Sequence, residues 1–154
     1  MRPPAQGYLR RLPFFRHYDA EEVDDLLRRA SFERVDPRAL LVAEGERPRA
    51  LFVTVNGAVE EVIRRDGGAI RVALAGPGRA FGYTGSIAGG TATASAAARE
   101  RSVVLVVDPD ELASDAFASA IGRDVVVALR QAERPQARLA ATRPERPGFT
   151  HAQP

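Results

Sequence analysis

The feature that most constrains this chain is a change of hydrophobic period at Phe32. Before it, Val23, Leu26, Leu27 and Ala30 recur at helical spacing in "YDAEEVDDLLRRA". Asp19 and Glu22 stand at the spacing of a capping box, with Asp19 as N-cap. Leu12, Phe14 and Phe15 precede that cap and are expected to fold onto the same core. From Phe32 onward the apolar residues come in short Val-, Leu- and Ile-rich segments: "SFERV", "ALLVAEGE", "LFVTVNGAVEEVIRR", "AIRVALAG", then "TASAAA" and "SVVLVV". Turn residues separate them. Asn56-Gly57 predicts a tight type I′ hairpin, because that turn needs two positive-φ positions. Asp66-Gly67-Gly68 marks a further turn. Near Asp110 the helical period returns, with Leu112, Phe117, Ile121, Val125 and Leu129 in one apolar stripe. Asp108 or Asp110 is placed to cap the first short piece, with Pro109 at or near its first turn. The expected class is mainly β with flanking helices: a β-sandwich or jelly-roll barrel followed by a C-terminal helix.

Composition narrows the function classes. The 154 residues suit one domain, and 45% hydrophobic with 27% charged residues describes an ordinary globule with a core. The 22 basic residues, all arginine, are offset by 20 acidic ones and alternate with them, as in "FERVDPR". That describes a mixed surface rather than a basic nucleic-acid face. Cysteine is absent and the two histidines, His17 and His151, lie near opposite ends, so no metal site, cofactor or catalytic set is expected. A cupin-like enzyme would need clustered histidines that this chain lacks. "MRPPAQGYLRRLPFF" has no apolar core of a secretion signal, and no apolar run approaches the roughly 20 residues that span a bilayer. A cytoplasmic location is expected, without membrane contact.

The stretch "GPGRAFGYTGSIAGGTATASAAA" combines glycines, an aromatic pair and small hydroxyl residues around a single charge, Arg79. Gly82 to Ile87 reads as a turn into a short helix whose N–H groups attract an anion, with Thr84 and Ser86 as hydroxyl donors. The glycines also suit plain barrel corners. In order along the chain, "LRRLPFF" with "EEVDDLL", Gly45-Glu46, "LFVTVNGAVEEV", "GPGRAFG", and "TASAAA" with "VVLVV" resemble the cyclic-nucleotide-binding domain of the Crp/Fnr superfamily. The resemblance runs from Leu9 to about Leu139. It implies a tail at 1–8, the domain at 9–139 and a Pro-rich, disordered tail at 140–154.

The resemblance also implies a site. In the family a cassette after Phe-Gly begins with a glutamate for the ribose hydroxyl and ends with an arginine for the cyclic phosphate. Here the cassette comprises Phe81, Gly82, Tyr83, Thr84, Gly85 and Ser86, and closes at Ala92, Thr93, Ala94 and Ser95. Tyr83 stands where the glutamate is expected; the arginine position falls on Ala92 or, with the alignment slid by one, on Thr93, and neither carries a charge. Loss of that ionic partner is worth roughly 2–5 kcal/mol, or about 30-fold to several thousand-fold in affinity. Weakened or absent cAMP and cGMP binding is therefore expected. Alternatives are a different small molecule stacking on Tyr83, substitute contacts from Arg71, Arg79 or Arg99, and no ligand at all. Val72 and Leu74 are expected in the pocket wall.

The family dimerises through the helix that Phe117, Ile121, Val125 and Leu129 resemble; packing on the barrel is the competing use of that stripe. Beyond it lie Pro135, Pro144, Pro147 and Pro154, and no winged helix-turn-helix is expected there. The functional expectation is a stand-alone regulatory or sensor domain of the Crp/Fnr type that does not itself bind DNA and acts through a small-molecule ligand, a protein partner or a homodimer. Its alternatives are a genuine cAMP receptor and a non-binding dimerisation subunit.

Overall fold

The computed structural model describes residues 6–83 and 90–122 of the chain. It opens with helix α1 (Gln6–Arg11), a 3-10 turn (Pro13–His17) and helix α2 (Ala20–Arg29). α2 begins at the capping box its sequence encodes. The Glu22 N–H donates to Asp19 Oδ1 at 2.8 Å and the Asp19 N–H donates to Glu22 Oε1 at 2.9 Å. Two amides that lack helical partners are satisfied in this way.

The strands follow: β1 (Ser31–Val35), β2 (Leu40–Val42), β3 (Leu51–Asn56), β4 (Val59–Arg65), β5 (Gly68–Ala75), β6 (Ala80–Phe81), β7 (Ser95–Ala98) and β8 (Ser102–Val107). They form two four-stranded sheets, ordered β1-β8-β3-β6 and β2-β7-β4-β5. Every pairing is antiparallel. A second 3-10 turn (Pro109–Ala113) and a helix at 115–122, here α3, complete the described chain.

Three layers result. Between the sheets lie Val35, Val42, Phe52, Val59, Ala75, Phe81, Ala96 and Val104. On the other face of the first sheet, Leu51, Val53, Val55, Leu105 and Val107 pack against Leu9, Phe14, Phe15, Leu26 and Phe117 from the helices. A sheet covered on both faces needs apolar residues at successive positions. That is why Leu51 to Val55 of β3 are all buried. The mainly β fold with flanking helices is the one the period change predicts.

Some local expectations change. Asn56-Gly57 is not a hairpin, because β3 and β4 belong to different sheets. Only Gly57 of the pair has positive φ, at 91°. It is a corner that carries the chain from one sheet to the other. The type I′ geometry falls instead at Asp66-Gly67, with φ of 41° and 79°, which closes the β4–β5 hairpin at the pair Arg65–Gly68. The folded core also begins inside the expected tail at 1–8: α1 starts at Gln6, and the Tyr8 hydroxyl donates to the Val55 carbonyl at 3.0 Å.

The C-terminal stripe is broken into two pieces. Asp108 caps the 3-10 turn through the Asp110 N–H at 2.8 Å, and Ser114 Oγ accepts the Phe117 N–H at 3.0 Å to start α3. Phe117 and Ile121 are buried in the helix-side core, with Phe117 edge-on to Phe14 at a centroid distance of 5.2 Å. These two residues therefore pack on the barrel. Val125, Leu129 and the tail at 140–154 lie outside the described residues.

Candidate ligand site

The site is best built from β6, since the glycine-rich stretch begins where this two-residue strand ends. Strand alternation sends Ala80 to the helix side and Phe81 between the sheets. The Phe81 ring stacks on Phe52 of β3, with centroids 5.1 Å apart and planes 7° from parallel. Gly82 then adopts a φ of +76°, the left-handed region that favours glycine. A Cβ there would stand 3.0 Å from Val42 Cγ2 and 3.4 Å from Phe52 Cδ2. The bend at Gly82 breaks the alternation. Tyr83, which a continuing strand would aim between the sheets beside Phe81, joins the helix-side core with Ala80, Leu105 and Phe117 and is only 7% exposed. Its ring thus packs with the helices rather than between the sheets.

The far end of the stretch is tied down by backbone bonds. The Gly45 N–H donates to the Ala92 carbonyl at 2.9 Å, and the Ala92 N–H donates to the Glu46 carbonyl at 2.8 Å. Ser95 Oγ accepts the Glu44 N–H at 2.9 Å. The Gly45-Glu46 turn thus fixes the end of the cassette. Ala92 is buried in the inter-sheet core and brings no charge there. Thr93 is exposed, and Ala94 and Ser95 are partly buried. Thr84, Gly85 and Ser86 lie outside the described residues.

The expected pocket wall needs correction. Leu74 pairs with Glu60 in the β4–β5 ladder and is 37% exposed, so it does not line the interior. The ladder pairs Glu61 with Ala73 and Val62 with Arg71, which leaves Val72 as the extra, partly buried residue of a bulge. Periodicity could not reveal that slip. Of the arginines weighed as substitutes, Arg71 sits opposite Val62 on β5, Arg79 lends its carbonyl to the Thr54 N–H, and Arg99 is exposed in the β7–β8 turn with its N–H on the Ala58 carbonyl.

Two polar residues on inward strand faces, one partly and one fully buried, were not expected. Glu61 is on β4 two positions after Val59 and therefore on the same, inward face. Its neighbours in register, Ala73 and Ala96, are small. From there its Oε2 accepts the Gly82 N–H at 3.0 Å, a carboxylate of one sheet capping the strand end of the other. The signal was present in "AVEEVI": if Val59 faces inward, one of the two glutamates must follow it. Thr54, on the inward face of β3 beside Phe52, is fully buried, and its Oγ1 lacks a hydrogen-bond partner among the described residues.

Two concavities stand out among the described residues. One of about 150 Å³ adjoins the phenylalanine stack and is lined by Val42, Phe52, Glu46, Arg47 and Arg49 among others. It is smaller than the roughly 300 Å³ at which ligand pockets begin. The other, about 440 Å³, is a polar cleft between α2 and the segment leading to α3. At its floor the buried Glu111 accepts from Tyr18 at 3.3 Å and pairs with Arg29 at 3.0 Å. No group of acidic, histidine or cysteine side chains suited to a metal ion occurs among the described residues. No helix among them is long and apolar enough to cross a membrane.

Comparison with known proteins follows the same outline. The model of the family "Cyclic nucleotide-binding domain" matches residues 32–114, more than half of the chain. The catabolite activator protein of Thermus thermophilus is similar at 25% identity and a TM-score of 0.66, over 79% of this chain and 60% of that one. The N-terminal domain of a transcriptional regulator from Streptomyces coelicolor is 25% identical, with a TM-score of 0.60 over 81% and 92% of the two chains. A regulatory subunit of a cAMP-independent protein kinase A from Trypanosoma cruzi, bound to guanosine, shares the fold at 21% identity and a TM-score of 0.65, over 84% of this chain and 45% of that one. The chain spans between 44% and 60% of the length of the first such structures. No curated protein matches by sequence.

Proposed function

From the chain's membership of the cyclic nucleotide-binding domain family, which is regulatory rather than catalytic, we propose that it is a sensor module of the Crp/Fnr type with a degenerate cassette, in which ordinary cAMP and cGMP affinity is weakened or lost. One observation carries this reading. The two positions that should supply ribose and phosphate contacts are both used for packing: Tyr83 at 7% exposure in the helix-side core and Ala92 at 5% between the sheets. Neither offers a charge to a ligand, and charge-assisted hydrogen bonds are about twice as strong as neutral ones.

Output is proposed to pass through the C-terminal helix to a protein partner or a second copy. Tyr83 shares one apolar cluster with Ala116, Phe117, Ala120 and Ile121 of α3. A rearrangement at the start of the cassette is thereby felt by α3 through direct packing.

A thermal-shift screen of cyclic nucleotides, nucleosides and common metabolites tests the proposal. A ligand at about 100 times its Kd adds about 2.7 kcal/mol of stability. The expected result is no such shift with cAMP or cGMP at about 100 µM. Full stabilisation by cAMP at that concentration, which requires a Kd near 1 µM, rejects the weakened site.

A further inference from the structure

Among the described residues Glu111 is the one charged residue that is buried. It belongs to the 3-10 turn (Pro109–Ala113) that links β8 to α3. Its carboxylate reaches back to the N-terminal helices: Oε2 accepts the Tyr18 hydroxyl at 3.3 Å and Oε1 pairs with Arg29 at 3.0 Å. The backbone is extended on both sides of the turn, with φ −64° and ψ 138° at Asp108 and φ −77° and ψ 136° at Ser114. The turn is thus joined to β8 and to α3 by two single-residue hinges. We propose that the Pro109–Ala113 turn is a two-position latch: with Glu111 on Arg29 and Tyr18, α3 is docked on the helix layer, and with Glu111 in water, the turn and α3 leave that layer together.

The physical grounds are burial and charge. A carboxylate in a poorly solvated place is tolerated while it is paired and hydrogen-bonded. A small outward movement breaks the pair and leaves the charge buried, which is the least favourable arrangement. A full movement hydrates it. The cost therefore falls on the intermediate positions, and the turn has two favoured ones. An apolar residue at 111 would favour the inward position alone. Water has a way in, because the cleft of about 440 Å³ lies against Glu111. The carboxylates of Glu21, Glu22 and Asp25 line the same cleft and oppose the Glu111 charge, so the Arg29 guanidinium is what keeps it inward. Latch and docked helix meet on one ring: Phe14 lies 5.6 Å from Tyr18 and 5.2 Å from Phe117, centroid to centroid. The latch does not involve the cassette, so it stands or falls apart from the weakened cyclic-nucleotide site.

Amide hydrogen exchange on the full chain, followed by mass spectrometry at increasing but sub-denaturing urea, separates a latch from a plain structural bridge. A latch opens without exposing the sheets. In the wild type, exchange at 115–122 should therefore be faster than in β3 and β8 and nearly independent of urea. Arg29→Ala leaves the Glu111 charge without its cation. It should speed exchange at 115–122 about tenfold, less than for a fully buried pair because the Arg29 side chain is 46% exposed. Adding Glu111→Gln removes the charge, keeps an acceptor for Tyr18, and should reverse most of that gain. Tyr18→Phe removes a single hydroxyl, should act in the same direction as Arg29→Ala, and carries the comparison if Arg29→Ala does not fold. Exchange at 115–122 with the rate and urea dependence of β8 means that α3 is released by global unfolding alone, and overturns the latch. So does unchanged exchange at 115–122 in the single variants, or a double variant that exchanges no more slowly than Arg29→Ala.

Discussion

Gly57 shows how a single residue in this fold is fixed by its surroundings. Its φ is +91°, and a Cβ would stand 2.7 Å from both the Arg101 carbonyl oxygen and Ser102 Cβ, and closer still to Ser102 Oγ. That hydroxyl is in use: it accepts the Ala58 N–H at 3.1 Å and donates to the Glu100 carbonyl at 2.8 Å. Gly57→Ala therefore meets both an unfavourable backbone region and a contact with main chain that cannot move aside. We expect a loss of about 1–3 kcal/mol, read as a lower urea midpoint with an unchanged slope. Asp66, the other turn residue with φ of +41°, faces no such wall in its hairpin, and Asp tolerates that region better than most residues. The sequence marks both turns with glycine but does not say which joins neighbours in one sheet. Asn56-Gly57 has the stronger hairpin signature and is the corner. Its partner is the β7–β8 turn, more than forty positions away along the chain, and a local rule does not see that far.

Among the elements, α2 and the segment entering α3 are held together by one cluster. Arg29 of α2 bridges Asp25 at 2.8 Å and Glu111 at 3.0 Å, and the Tyr18 hydroxyl donates to Glu111 at 3.3 Å. Burial, then the neighbouring Glu111 charge, pushes the Tyr18 phenol well above its ordinary value of 10.0. The raised folded-state value means that the neutral phenol is favoured in the native protein. Its contribution to stability is fully present below about pH 10, where the unfolded tyrosine begins to ionise, and is lost as pH rises further. The expected outcome is that one tyrosine resists ionisation at 295 nm until the protein unfolds at alkaline pH, and that Tyr18→Phe removes this delayed component. A Tyr18 that titrates reversibly near pH 10 in the folded state contradicts the cluster. Helix α2 itself was legible to its first residue, because the Asp19–Glu22 capping box is a local device. The strands were legible from their Val-rich runs. Strand β6, only Ala80–Phe81, was not, since two residues carry no period. The sequence separates a first short piece capped at Asp108 or Asp110, and the break falls at Ser114, between Leu112 and Phe117.

At the scale of the whole molecule, the layered order of helices, sheet and sheet assigns each apolar residue of the first sheet to one of two cores. That assignment decides what the site contains. The sequence reading places the cassette by order and spacing, with Tyr83 at its start and Ala92 at its end. It could not show that Tyr83 leaves the interior altogether, because this depends on the left-handed turn at Gly82. Nor could it choose which glutamate of Glu60-Glu61 points inward without the position of Val59. The resulting interior holds stacked Phe52 and Phe81, buried Ala92 and the Glu61 carboxylate on Gly82. Arg47 and Arg49 line the concavity beside this stack, and the proposal of weakened cyclic-nucleotide binding rests on the packing of Tyr83 and Ala92. Calorimetric titration of cAMP into the wild-type chain at 25 °C and physiological salt tests it most directly. The account predicts no saturable heat up to about 100 µM ligand, corresponding to binding weaker than about −5.5 kcal/mol. A one-to-one isotherm with a Kd of about 1 µM or below, near −8.2 kcal/mol, contradicts it.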